Sequence, residues 1–327
     1  MRIVTPDDLT AALSYPSLIE AIKEAFRGGI TVPVRHHHTV PQPGRDATLL
    51  LMPAWTDAPR RGERSAERSA EKFLGCKIVT VFPDNAAAGK PSLHGSYLLM
   101  SGATGEPLAL FDARQLTARR TAATSALAAD FLARQDATHL VMIGAGVLAP
   151  HVIRAHAAVR PIKRVTLWNR TRGHAVSLAF GLAVTGMEAT VSDDLEAAVA
   201  DADIVSCATL ASEPVIRGKW LKPGTHVDLI GGFTPKMREA DDDTIRRSRV
   251  YVDTRAGAFK EAGDIVIPLR RRLIGRKDIG GDLFELCRGK AKGRTSDDQI
   301  TLFKSVGSAI ADLAAAMLVW RHMQPEK

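Results

Sequence analysis

The sequence predicts an α/β chain: a doubly wound parallel sheet, preceded by an α+β domain built on an antiparallel sheet. Three observations predict it. Residues 139–156, HLVMIGAGVLAPHVIRAH, read in succession as buried strand, glycine turn and helix. Beyond them short apolar strands alternate with helical patterns, the signature of a parallel sheet, whereas between residues 31 and 111 strand follows strand. With 327 residues, 45% of them hydrophobic, the chain has room for about two domains with substantial cores. The second domain is therefore expected to be of the Rossmann type.

The elements follow in order. Residues 5–13, TPDDLTAAL, begin with a capping Thr5 and a first-turn Pro6, and predict a short helix. Residues 16–27 place Leu18, Ile19, Ile22 and Phe26 on one face and stop at Gly28-Gly29. Strands are expected at 31–40, 47–52, 73–82, 94–100 and 107–111, with a turn at 102–105 joining the last two into a meander. Between the second and third, PRRGERSAERSAEK (59–72) repeats ERSA in tandem and is too charged to pack, so it reads as a solvated insertion. Residues 116–132 form a long Ala-rich helix. Further strands are expected at 140–143, 164–168, 189–191, 204–208, 226–230 and 250–252, and one long, mostly apolar helix at 301–321. The expected division is a substrate domain, 1–120, completed by the C-terminal helix 301–327, and a dinucleotide-binding domain, 121–300.

Composition excludes several classes. No apolar run is long enough for a signal peptide at the N-terminus or a membrane span near the C-terminus. Cys76, Cys207 and Cys287 are isolated and odd in number, which fits neither a disulfide framework nor a zinc site and points to a reduced, cytoplasmic setting. The net charge is +8, but the basic clusters at 60–68, 246–249 and 270–277 carry no interleaved aromatics, so a nucleic-acid partner is not expected. A basic surface does suit small anions through electrostatic steering.

The glycine turn carries the first chemistry. Gly144 permits the tight turn, Gly146 lets a pyrophosphate approach the backbone, and Ala149 lets helix and strand pack closely, with the helix N-terminus facing the phosphates. The second strand ends in Trp168-Asn169-Arg170-Thr171-Arg172, without the acid that would accept bonds from a free ribose 2′-hydroxyl. Arg170 and Arg172 instead suit a 2′-phosphate, with Asn169 and Thr171 as neutral donors, so NADPH is expected ahead of NADH.

The first domain contains cations inside apolar patterns: Arg35 in TVPVRHHHTV, Lys77 in FLGCKIVTVF and Arg120 in LTARRTAATSA. A charge in a packed element is costly unless paired, so the three could converge on a carboxylate. Alternation equally allows each to point to solvent. His36 and His38 share a strand face, but no nearby Cys, Asp or Glu supports a metal there, and none is expected.

With these residues in view, nearly the whole chain resembles the ornithine cyclodeaminase/mu-crystallin family. The resemblance rests on GCKIVTVFPDN (75–85), GEPLALFDARQLTARRTAATSALAA (105–129), IGAGVLA (143–149), NRT (169–171), PGTHVDLIGGFTPKMREAD (223–241) and TLFKSVGSAIADLAAA (301–316). It implies a homodimer paired through the N-terminal domains, with the active site between substrate and nucleotide domains. It also implies that Arg35, Lys77 and Arg120 bind the substrate carboxylate, Lys77 being catalytic as well. Cofactor contacts are implied for Thr121, Gly144, Ala145, Gly146, Val147, Leu148, Asn169, Arg170, Thr171 and Thr209, and for Ser305 and Gly307 in the segment returning toward the nicotinamide.

Cyclodeaminases resembling this chain carry an acid just after the glycine pair, where Phe233 stands here, and Asp228 stands where many relatives have Asn. VDLIGGFTPKMREAD, followed by VDTR and EAGD, resembles the branch that reduces cyclic imino acids. The expectation is an NADPH-dependent reductase of Δ1-pyrroline-2-carboxylate, giving L-proline, with Δ1-piperideine-2-carboxylate as a second substrate giving L-pipecolate. Asp228, expected at the end of the fifth strand, either stabilises the iminium or simply caps the strand. The alternatives are an NAD-dependent, ammonia-releasing ornithine cyclodeaminase, an alanine or other amino-acid dehydrogenase, and a non-catalytic NADP-binding protein like the crystallins.

Overall fold

The structure, a computed structural model, describes residues 1–57 and 71–324; the ERSA repeats of the expected insertion lie outside the described residues. The chain divides into two units, Met1–Arg120 with Ser308–Lys327, and Thr121–Gly307.

The first unit holds strands β1 (Arg2–Val4), β2 (Ile30–Thr31), β3 (His36–Val40), β4 (Ala47–Thr56), β5 (Phe73–Val81), β6 (Leu93–Ser101) and β7 (Pro107–Asp112). They form one sheet in the order β1-β7-β6-β5-β4-β2, with β3 also on β4. The meander β4 to β7 is antiparallel as expected, and β1 adds a parallel edge on β7. The single strand expected at 31–40 is a correction: residues 32–35 leave the sheet around Pro33, which has no N–H to donate to a ladder, and Arg35 sits in that break.

Three helices pack on this unit. Thr5 caps the helix Pro6–Ala12 through a reciprocal box with Asp8. The helix Tyr15–Arg27 buries Leu18, Ile19, Ile22, Ala25 and Phe26, and packs against the helix Ala309–His322, which also lies on β4 and β5.

The second unit is a wholly parallel sheet of eight strands, β8 (His139–Ile143), β9 (Arg164–Trp168), β10 (Thr190–Val191), β11 (Ile204–Cys207), β12 (His226–Leu229), β13 (Arg249–Val252), β14 (Ile279–Asp282) and β15 (Thr301–Lys304). Their order is β10-β9-β8-β11-β12-β15-β13-β14. The winding reverses between β8 and β11, and the carboxyl ends of those strands mark the crevice where such sheets bind ligands.

The tail is the second correction. Residues 301–304 are not the start of a helix but a strand inserted between β12 and β13; the helix begins only at Ala309, after the capping Ser308. A short apolar run joined to an apolar helix gives no change of period to read, and only Gly307, at φ +85°, marks the boundary. Among the described residues no helix is long and apolar enough to cross a membrane.

His226 on β12 is buried in this sheet, its Nδ1 2.9 Å from Thr301 Oγ1 on β15. Burial, ahead of all its charged neighbours, lowers its pKa from 6.5 to about 3, so it is neutral in the folded state across the physiological range. Unfolding frees it to bind a proton below its ordinary value. Its stabilising contribution is therefore complete above pH 6.5 and declines as pH falls toward 3. Urea denaturation at pH 5 should show a loss of about 2 kcal/mol from this group relative to pH 7.5; equal stability at the two pH values would contradict the assignment.

Candidate active site

In the first unit, β5 alternates inward and outward, and Phe73, Gly75, Lys77 and Val79 face in while Ile78 faces out. Lys77 is thereby 3% exposed rather than solvated. Its partner comes from the C-terminal helix: Lys77 Nζ lies 2.8 Å from Asp312 Oδ2. The other oxygen, Asp312 Oδ1, accepts from Arg120 Nε at 2.8 Å. All three side chains are buried. Arg35, half-buried in the break before β3, lies near enough for its charge to act on Lys77.

Burial and the neighbouring charges set the acidity of Lys77. Burial and the neighbouring Arg120 push the Lys77 ammonium down, Asp312 pushes it up, Arg35 down again, and it settles at about 8. Burial alone would raise Asp312; Arg120 and Lys77 together hold it below the ordinary carboxylate value. Asp312 thus holds Lys77 and Arg120 together in a poorly hydrated place where Coulomb attraction is strong. A substrate carboxylate is the natural complement, and a lysine near pKa 8 is suited to giving up a proton at neutral pH.

In the second unit, Gly144 ends β8 at φ +101°, a backbone region open to glycine, and a Cβ there would stand 2.6 Å from Ala208 O. Gly146 and Val147 are exposed, and nothing within 4 Å would meet a Cβ on Gly146. Ala149 is buried at the head of the helix Ala149–Ala157, where Leu148 makes no side-chain cap, Ala149 N donates to Gly146 O at 3.1 Å and His151 N to Leu148 O at 3.0 Å, so the positive end of the helix faces the exposed glycine turn. Asn169 is less free than its sequence position suggests: its Oδ1 accepts from Ala145 N at 3.1 Å and its Nδ2 donates to Thr171 O at 2.9 Å, pinning the glycine turn to the end of β9. Thr171 begins the helix Arg172–Val184 with no side-chain cap bond, and Arg170 beside it is exposed. Arg172 lies 3.4 Å from Asp193. These features fit a dinucleotide.

A buried charge cluster holds the loops that leave the sheet. Glu239 Oε1 accepts from Thr209 N (2.8 Å) and Thr209 Oγ1 (3.0 Å), and Glu239 Oε2 from Gly231 N (2.8 Å) and Gly232 N (3.2 Å). Lys304 Nζ stands 3.5 Å from Glu239 and 3.2 Å from Asp264, whose other oxygen accepts from Glu239 N and Ala240 N. Burial works against the Lys304 ammonium, but the two carboxylates outweigh it and keep it charged. No side chain fits at Gly231, where a Cβ would come 1.8 Å from Thr209 O. Phe233, just beyond, is 47% exposed.

Asp253 plays the same part for the returning segment, its Oδ2 accepting from Ser305 Oγ (3.1 Å), Val306 N (2.9 Å) and Gly307 N (2.7 Å). Thr121 is buried in the helix Ala113–Leu132.

The position of Asp228 is a third correction. It lies within β12 rather than at its end, and is fully buried. Its Oδ1 accepts from Ser125 Oγ at 2.9 Å and its Oδ2 from Ser206 Oγ at 2.7 Å, with His156 Nε2 3.3 Å away. Burial raises its pKa and these partners more than reverse it, so it is an ionised carboxylate engaged on both oxygens inside its own unit.

The residues that reasoning from sequence missed are Asp312, Glu239, Asp264, Lys304 and Asp253. For Asp312 a signal existed: within AIADLAAAMLVW it is the only charge, as conspicuous in its apolar pattern as the cations upstream are in theirs.

Against known proteins, the profile of the ornithine cyclodeaminase/mu-crystallin family matches residues 6–327. The chain is 41% identical to protein SAR DEFICIENT 4 of Arabidopsis thaliana, over 94% of this chain and 95% of that one. It is 36% identical to Delta(1)-pyrroline-2-carboxylate reductase of Colwellia psychrerythraea, over 97% of both. Among solved structures it is similar to the Thermococcus litoralis Delta(1)-pyrroline-2-carboxylate reductase in complex with NADH and L-proline. There the TM-score is 0.87 and the identity 33%, covering 98% of this chain and 97% of the other.

Asp312 is the element on which the cation cluster depends, and removing it takes the shared carboxylate away from two buried cations. Asp312→Ala should lower the free energy of unfolding by about 3–5 kcal/mol in urea at pH 7; a loss below 1 kcal/mol would show that the ion pairs do not hold the cluster together.

Proposed function

Because the chain belongs to the ornithine cyclodeaminase/mu-crystallin family, we propose that it is an NAD(P)H-dependent oxidoreductase acting on the C=N bond of cyclic imino acids. In this reading it reduces Δ1-pyrroline-2-carboxylate to L-proline and the six-membered Δ1-piperideine-2-carboxylate to L-pipecolate. The observation that carries the reading is the buried Lys77–Asp312–Arg120 cluster with Arg35 beside it, a gathering of cationic side chains suited to a small carboxylate.

The chain's own residues supply binding, orientation and a proton. Arg120 and Arg35 hold the substrate carboxylate, Arg through its planar fork, and this fixes C2 of the ring in one orientation. Lys77 gives a proton from Nζ to the imine nitrogen, whose C=N π electrons become polarised toward nitrogen and leave C2 electrophilic. When bound, the reduced nicotinamide supplies the hydride that C2 accepts. Lys77 then regains its proton from water, and the product leaves as the amine.

The glycine turn with Ala145, Val147 and Leu148 would hold the pyrophosphate; Asn169, Arg170 and Thr171 the adenosine end; and Thr121, Thr209, Ser305 and Gly307 the nicotinamide end. NADPH is proposed ahead of NADH. The exposed Arg170, with no acid at the end of β9, supports it. A homodimer and a reduced cytoplasmic setting belong to the same proposal; the free Cys76, Cys207 and Cys287 are consistent with that setting.

The test is oxidation of NADPH and of NADH with each cyclic imine, run beside ammonia release from ornithine. We expect imine reduction, faster with NADPH, falling as pH rises through about 8 where Lys77 loses its proton. Lys77→Ala should lower turnover by about 10²–10⁴-fold while NADPH binding stays within twofold of the parent (~2-fold). Ammonia from ornithine without imine reduction would favour a cyclodeaminase, and saturable NADPH binding with neither reaction a binding protein.

A further inference from the structure

Tyr97 stands directly across from Lys77 in the β5–β6 pair, so the two side chains project from the same face of the sheet. It is fully buried, packed edge-to-face on Phe111 with centroids 5.9 Å apart, and its hydroxyl has no hydrogen-bond partner. The ring extends over Gly75, the inward-facing neighbour of Lys77 on β5: a Cβ at Gly75 would stand 1.9 Å from Tyr97 Oη. A glycine thus makes room for an oxygen that satisfies nothing. Phenylalanine would fill the same place without burying an unpaired polar group.

We propose that Tyr97 is a positioning residue for the proton transfer, its hydroxyl donating to the Asp312 carboxylate when Lys77 becomes neutral. The inference rests on the reading of Lys77 as proton donor. Asp312 offers one oxygen to Arg120 and the other to Lys77. Once Lys77 Nζ has passed a proton to the imine nitrogen, the oxygen it faced is a buried anion that has lost its cation. A neutral O–H can fill that place without adding charge; Tyr97 keeps its own proton, because burial first, and then the charges of Asp312 and Cys76, hold its pKa well above the usual phenol value.

The groups acting on this pair are few. Asp312 comes from the C-terminal helix, Arg120 from the helix Ala113–Leu132, Arg35 from the segment before β3, and Cys76 from β5 itself. Of these, among the described residues, Asp312 is the carboxylate, and it is the anionic acceptor within this group for the hydroxyl. Stabilising the neutral state of Lys77 in this way makes the lysine a better acid. Without the hydroxyl, the Asp312 oxygen that a neutral Lys77 leaves behind has lost that donor, and the lysine holds its proton harder.

The experiment compares the wild-type protein with Tyr97→Phe. Thermal melting checks folding, and the variant should melt at the same temperature or higher. The titration of Lys77 is followed in the substrate-free protein by NMR of the labelled lysine nitrogen, with Lys77→Met as the assignment control. The midpoint should move upward in Tyr97→Phe, by about one pH unit. With imine and NADPH, kcat should fall about tenfold, KM should stay constant, and the basic limb of the pH profile should move to higher pH with the titration. An unchanged Lys77 midpoint overturns the proposal whatever the turnover. A moved midpoint in a protein that reduces no imine supports the Tyr97–Asp312–Lys77 coupling and rejects the reductase reading instead.

Discussion

One carboxylate, Asp312, holds two buried cations from separate elements, and the chemistry of the first unit depends on it. Lys77 projects from the middle of a meander and Arg120 from a long helix; neither could be withdrawn from water alone. Asp312 reaches both because the C-terminal helix lies across β4 and β5. Ion pairs of this kind add little net stability compared with apolar packing, since desolvation offsets most of the attraction. Their retention therefore points to use: the pairing keeps a lysine buried, charged and close to neutrality in its acidity.

The second unit solves a different problem with similar means. A dinucleotide needs several loops at the carboxyl edge of a parallel sheet to hold their places. Here buried carboxylates accept from the backbone N–H groups of those loops: Glu239 for Thr209 and the Gly231-Gly232 pair, Asp264 for Glu239 and Ala240, Asp253 for the segment after β15. Lys304 balances two of them from the end of β15. Backbone groups that would otherwise be unpaired at a sheet edge are thus satisfied internally, while Gly146 and Val147 in the glycine turn stay exposed.

Much of this was legible in the sequence, for identifiable reasons. The parallel strands read clearly because each is a short apolar run bounded by turns, and β9 matched its expected limits. The glycine turn read clearly because its spacing is dictated by backbone geometry. What escaped was encoded at long range. Asp312 meets Lys77 across 235 residues and Arg120 across 192, and nothing local says which lone acid pairs with which lone cation. Lys304 was hidden because β15 merges into an apolar helix, so a strand was read as a helical turn. The surroundings of Asp228 were likewise set at long range: Ser125, Ser206 and His156, which engage it, lie 103, 22 and 72 residues away in the chain.

The account's central claim is that the cation cluster presents a cyclic imino carboxylate for reduction at C2. Its most direct test is isotopic: reaction of Δ1-pyrroline-2-carboxylate with NADPH deuterated at the transferable position of the nicotinamide, with proline analysed by NMR. Deuterium at Cα of L-proline in every product molecule is the result the account requires. Proline formed without deuterium, or no proline from the imine at all, would contradict it.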